Sequence, residues 1–240
     1  MKAKSLTRRR RWILFLLGLI ISGFGVAFST RAGLGTSPIS SVPFVLSFIC
    51  PFSFGMLTFA VNLLFVSGQI LIRKREFELF QLLQIPMLFI FGVCIDLGMF
   101  ISEPFLLHDF LLNAAPASEW SFAVYASRHA ELLFGCLVLA SGIVLQLEAN
   151  TLLLPGDALV KDFCGKYGFE FSKIKMSLES LLVISSLILC LTSLHELRGI
   201  REGTFLAILY VGTTIRLIRG RIRKRTLADC PARLSKRKKK

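Results

Sequence analysis

The chain has 240 residues, is 54% hydrophobic, has a mean hydropathy of +0.66 and carries a formal net charge of +14. That leaves too little polar sequence to cover a soluble domain of this size. The basic excess sits in "MKAKSLTRRRRW" and "RGRIRKRTLADCPARLSKRKKK", beside apolar runs, which suits lipid headgroups rather than nucleic acid. Recurrent apolar runs near 18 residues predict an all-α, polytopic membrane protein, and the lack of alternating ten-residue segments argues against an outer-membrane barrel.

In chain order, the first apolar run is Trp12–Ser29, after four arginines and with no A-x-A site behind it, so it reads as an uncleaved anchor. "GTSPISSVP" follows, Gly35–Pro43, with two prolines and four hydroxyls. Ser37 suits a helix N-cap, Pro38 suits the first helical position, and Pro43 interrupts the turn ladder. Further crossings are predicted near 53–72, 79–101, 129–147, 176–194 and 204–218, making about six. The loop Ser102–Trp120 has acids but no Lys or Arg and suggests a short interfacial helix around "FLLHDFLL". Five regions result: a basic N-terminus (1–11), a first membrane repeat (12–101), an outer loop (102–128), a second repeat (129–218) and a basic tail (219–240).

Segments 1–11, 73–78, 148–175 and 216–240 hold 25 of the 29 basic residues, and Arg31, Arg128, Arg198 and Arg201 are the remaining four. Positive loops stay on the cytoplasmic side, so the split predicts both termini inside and a plasma or inner membrane location.

Sliding the chain by 117 residues lays Gly18 on Gly135, Gly25 on Gly142, Ala32 on Ala149 and Pro38 on Pro155, with eight identities in 49 positions. Three extra residues in the later loop bring Gly92 onto Gly212. Matched glycines and prolines set packing and chain breaks, so the match predicts two three-helix repeats, each with a short helix. With three crossings per half, the second half is inverted, as in many secondary transporters. The short segments 38–50 and 155–166 fit two arrangements: interfacial helices, with Asp157 a helix-start residue, or re-entrant half-helices whose free N–H groups line a site.

The stretches "RAGLGTSPISSVPFVLS", "AVNLLFVSG" and "LLPGDALVKDFCGKYGFEFSKIKMSLE" resemble the YitT/YczE group of bacterial membrane proteins over most of residues 12–218. The resemblance implies a polytopic fold and a membrane location and carries no substrate. Members often have "PGE" where this chain has "PGD", which keeps the carboxylate but shortens its reach.

Polar residues inside a membrane are costly, so they are candidates for function. Asn62 and Glu179 occupy matching positions of helices two and five and are expected to face a cavity. Asp96 and Arg216 also match; Asp96 is a candidate for ion or proton coupling, whereas Arg216 suits snorkelling. Gln69, Gln84 and Gln146 suit helix–helix hydrogen bonds. His108, His129 and His195 lack metal-ligand spacing, the six cysteines form no CxxC, and no hydrolase, zincin or nucleotide motif occurs. Neither a metal, a cofactor nor an enzyme is expected.

The function these residues suggest is a small-solute transporter or permease, with a site between the halves formed by Ser37, Pro38, Asn62, Pro155, Gly156, Asp157 and Glu179. The alternative is a membrane substrate-binding or accessory subunit acting with a partner protein. The expected partners are the bilayer, a small solute and either a second copy or another protein, with no nucleic acid.

Overall fold

The computed structural model describes residues 7–74, 77–102, 122–194 and 202–228. Its elements are α1 (Arg8–Arg31), α2 (Pro38–Ile49), α3 (Phe54–Arg73), a 3-10 turn (Leu79–Leu83) leading into α4 (Gln84–Ser102), α5 (Phe122–Ala149), α6 (Pro155–Tyr167), α7 (Phe171–Leu189) with a π turn (Cys190–Leu194), and α8 (Glu202–Ala228). The fold is all-α, as the composition requires. The expected interfacial helix, His108, His195 and the tail beyond 228 lie outside the described residues.

Five helical segments are long and apolar enough to span a bilayer: Arg8–Arg31, Phe54–Arg73, Leu79–Ser102, Phe122–Ala149 and Phe171–Leu194. The expected sixth is α8, whose apolar run is cut short by Arg216 and Arg219. It nevertheless runs the same course as α5. The Gly203 amide donates to Leu34 beside Leu132 at one end, and Arg219 pairs with Glu148 at the other. The protein is therefore a polytopic helical membrane protein. The end bearing Arg11, Arg73 and Ala149 is called the basic face below, and the end bearing Arg31 and Phe54 the far face.

α1 and α5 form the central pair. They cross antiparallel: Gly18 lies on Gly142 and Gln146, Ser22 on Gly142, Gly25 on Leu139, and Ser29 on Gly135. These positions recur at spacings of four, three and four, which makes a small-residue stripe and lets the backbones touch. Gln146 seals the crossing, donating to the Gly18 carbonyl (3.1 Å) and to Ser22 Oγ (2.8 Å). At the basic face Arg11 Nε donates to the Ala149 carbonyl at 2.9 Å.

Both central helices end the same way. Gly33 (φ 71°) and Asn150 (φ 46°), equivalent under the 117-residue shift, take left-handed conformations and turn the chain back into the bundle. Non-helical backbone is tolerated at membrane depth only when protein covers it. After α1 Gly33 is exposed at the turn, and the stretch behind it is covered: Ala32, Leu34 and Thr36 are buried, and Thr36 shares a hydroxyl contact with Thr30 (3.1 Å). Two short helices then begin at Pro38 and Pro155, each with proline at the first position.

The packing follows the same shift. α4 lies on α1 as α8 lies on α5, and each short helix packs both on the next helix of its own half and on the corresponding helix of the other half: α2 on α3 and α7, α6 on α7 and α3. One pair breaks the pattern. α3 packs closely on α4, where any Cβ at Gly55 would collide with the Gly92 carbonyl. Ser172 stands at the equivalent of Gly55, and among the described residues α7 does not pack along α8; Gly212, the equivalent of Gly92, faces open space. The asymmetry is thus written in the sequence.

The Gly142→Ala variant is expected to lower the melting temperature in detergent, by roughly 1–3 kcal/mol of stability, because its Cβ enters the Ser22 backbone. Gly212→Ala, with no neighbour within 4 Å, is expected to melt like the parent or slightly higher. Equal melting of the two variants would contradict the close α1–α5 approach.

Candidate functional site

The short helices enter from opposite faces. Along α6, Gly156 lies against Phe65, Leu159 against Gly68, Asp162 pairs with Arg73 (3.3 Å), and Lys166 Nζ donates to the Ile72 carbonyl (2.9 Å). Phe65 precedes Arg73 by eight residues, so α6 starts about 12 Å inside the basic end of α3 at 1.5 Å per residue. Gly168, left-handed at φ 74°, ends it at that face. α2 runs the other way: Phe44 packs on Phe54 at the far end of α3 (ring centroids 5.2 Å apart). Ile39, in the first turn of α2, reaches Gly156, in the first turn of α6. Ile39 and Gly156 are equivalent under the 117-residue shift, so equivalent positions of the two helix starts lie side by side. The two short helices thus run into the bundle from opposite ends of α3.

Neither helix start carries a side-chain cap. Ser37 Oγ donates instead to Ser40 Oγ at 3.0 Å. Two helix N-termini therefore point at one another near mid-depth, each with a partial positive charge and free first-turn N–H groups. Such a junction favours an anionic or electronegative group.

Beside it, on the side of the basic face, stands a charged cluster. Lys175 Nζ donates to Asp157 Oδ1 at 2.8 Å and lies 3.9 Å from Glu179 Oε1. Under the shift, Asp157, Lys175 and Glu179 correspond to Ser40, Thr58 and Asn62, all three buried. The two halves thus carry the same three polar positions, neutral in one and charged in the other. Asn62 Nδ2 donates to the Thr58 carbonyl of its own helix (2.8 Å).

Gln69 ties α6 to α3. It is fully buried, its Nε2 donates to the Pro155 carbonyl (3.1 Å), and it lies 3.5 Å from Gln84 Oε1. Gln69, Gln84 and Gln146 bond between helices as their placement predicts. Asp96 stands apart from this group. Oδ1 accepts from the Gly55 amide (2.7 Å) and Oδ2 from Ser53 Oγ (2.6 Å), so the carboxylate caps the start of α3 at the far face. At the other end of the molecule, burial pushes the Asp162 carboxyl up, while Arg73 and Lys161 pull it back.

Of the residues singled out in the sequence, Pro38, Pro155 and Gly156 converge at the junction, Asp157 and Glu179 share Lys175, and Ser37 borders the α2 start. Lys175 is not among them, because its place near a helix end reads as an interfacial charge. The shifted alignment with Thr58 is the signal that points to it.

Residues 9–220 match the model of DUF6198, a family of unknown function, and the chain belongs to that family. No curated protein and no solved structure matches the chain.

A double-mutant cycle on Asp157→Asn and Lys175→Met is expected to give a coupling of about 0.5–1 kcal/mol, since both side chains are about one-third exposed. Lys175→Met alone is expected to be the less stable, because it leaves Asp157 and Glu179 without their shared cation. Additive effects in detergent unfolding would show that the cluster is incidental.

Proposed function

We propose that this DUF6198 chain is a transporter or permease for a small polar solute, built as two inverted halves with its site where the half-helices meet. The observation that carries this reading is the contact between Ile39 and Gly156, two equivalent helix starts reached from opposite faces. Broken helices whose N-termini converge near the midplane, at the interface of inverted repeats, are how membrane carriers present fixed partial charges to a solute. We propose too that it shares its architecture with the YitT/YczE group, which the stretches around Pro38 and Pro155 resemble.

In this reading the first-turn N–H groups of α2 and α6 meet the solute's electronegative group, and the Ser37–Ser40 hydroxyl pair adds donors. Asn62 on one side and Asp157, Lys175 and Glu179 on the other line the two approaches. In this reading both termini lie on the cytoplasmic side of a plasma or inner membrane, which the excess of basic residues on one side supports. With its carboxylate saturated by a helix start, Asp96 holds α3 on α4 and is not assigned the coupling role.

A second reading, an accessory subunit working with a partner, draws on α7. Only 17% of its apolar window is buried, against 56% for α1. One experiment separates the two. The purified chain is reconstituted alone into liposomes and tested for uptake of labelled small solutes: sugars, polyols, amino acids, carboxylates and urea. Flux of at least one solute is expected, reduced tenfold or more by Gly156→Leu and little by Gly156→Ala, whose methyl has room. No flux of any of these solutes, with a partner co-purifying in stable ratio, would favour the subunit.

A further inference from the structure

A separate cavity of about 350 Å³ opens at the basic face, between the end of α3, the 3-10 turn, the segment after α5 and α6. Its lining holds four buried polar atoms without a hydrogen-bond partner: Arg73 Nη1, Gln81 Oε1, Thr151 Oγ1 and Asp162 Oδ2. Each such atom left unmet is costly to bury. Their concentration in one cavity marks a place shaped for something that supplies the missing bonds.

The charges in the lining narrow the choice. Arg73 and Lys161 are cationic, and Glu78 and Asp162 anionic, so the cavity is formally neutral. Arg73 and Asp162 face one another at 3.3 Å through Nε and Oδ1, which leaves the Arg73 Nη1 donors and the Asp162 Oδ2 acceptor, both in the lining, without a partner. The Asp162 side chain is 8% exposed, so the bulk solvent does not meet that oxygen. An anion would satisfy Arg73 and leave Asp162 bare; a cation would do the reverse. A molecule with a carboxylate and an ammonium satisfies both, and a hydroxyl would serve Thr151 or Gln81.

We propose that this cavity is a binding site for a small zwitterion of the amino-acid class, with Arg73 holding its carboxylate and Asp162 its ammonium. It concerns binding, and it stands whether or not the chain carries solute across a membrane.

The test uses the full chain in detergent, with L-serine as the probe. Lactate and ethanolamine, which each lack one of serine's charges, are the comparisons, read by calorimetry and by melting temperature. Saturable serine binding is expected, at least tenfold tighter than either comparison. Asp162→Asn and Gln81→Leu are each expected to weaken it tenfold or more; the second leaves the ion pair and its folding role untouched. Gly156→Leu, at the half-helix junction, is expected to leave it unchanged. Absence of saturable serine binding would overturn the proposal and leave the cavity to water. Lactate binding as tightly as serine, or undiminished binding by both lining variants, would overturn it too. Loss of binding in Gly156→Leu alone would move the site to the junction and refute this cavity.

Discussion

In hydrocarbon every backbone N–H and C=O must find a partner inside the protein, and this rule governs the whole molecule. A helix that stops at mid-depth breaks it twice, at the extended stretch that leads in and at the bare first turn. Here the first break is largely buried, at Leu34, Gly35 and Thr36, whereas the second, residues 150–154, is only partly covered and borders the basic-face cavity. The glycine stripe brings α1 and α5 into backbone contact, and α2 and α6 each pack on both α3 and α7. The Leu34 carbonyl, at the first break, accepts from Gly203 at the start of α8; the Pro155 carbonyl, at the second, accepts from buried Gln69.

The two halves are alike in backbone and unlike in charge. Ser40, Thr58 and Asn62 give the first half three buried neutral positions, whereas Asp157, Lys175 and Glu179 give the second an ion-paired cluster. Packing diverges in the same way. Gly55 lets α3 close on α4 and receive the Asp96 cap, while Ser172 and Arg216 at the equivalent positions remove both the space and the carboxylate. The first half thus has a closed flank, where α3 meets α4, and the second an open one.

Much of this is legible in the sequence, for physical reasons. Apolar length gives the crossings, and the pairs Gly18/Gly135, Gly25/Gly142 and Pro38/Pro155 give the equivalent elements, because glycine and proline act on the backbone directly. The starts of α2 and α6 fall on their prolines. Other features are set by tertiary contact. Whether α2 and α6 lie flat or dip inward depends on the partners of Ile39 and Gly156, which no local pattern encodes. Asp96 reads as an intramembrane acid because its partners, Ser53 and the Gly55 amide, are more than forty residues away. The lining of the basic-face cavity comes from four separate segments, and only folding brings Arg73 to Asp162.

The central claim is that the two half-helix starts meet inside the bilayer. Cysteines at Ile39 and Gly156, in a chain with the six native cysteines replaced, test it most directly by oxidative or short-reagent cross-linking in membranes. The account predicts an intramolecular cross-link that forms readily for this pair and not when the second cysteine is moved to Gly165, near the basic face. Failure of the Ile39–Gly156 pair to cross-link in a variant that folds would contradict it and leave α2 and α6 as separate surface helices.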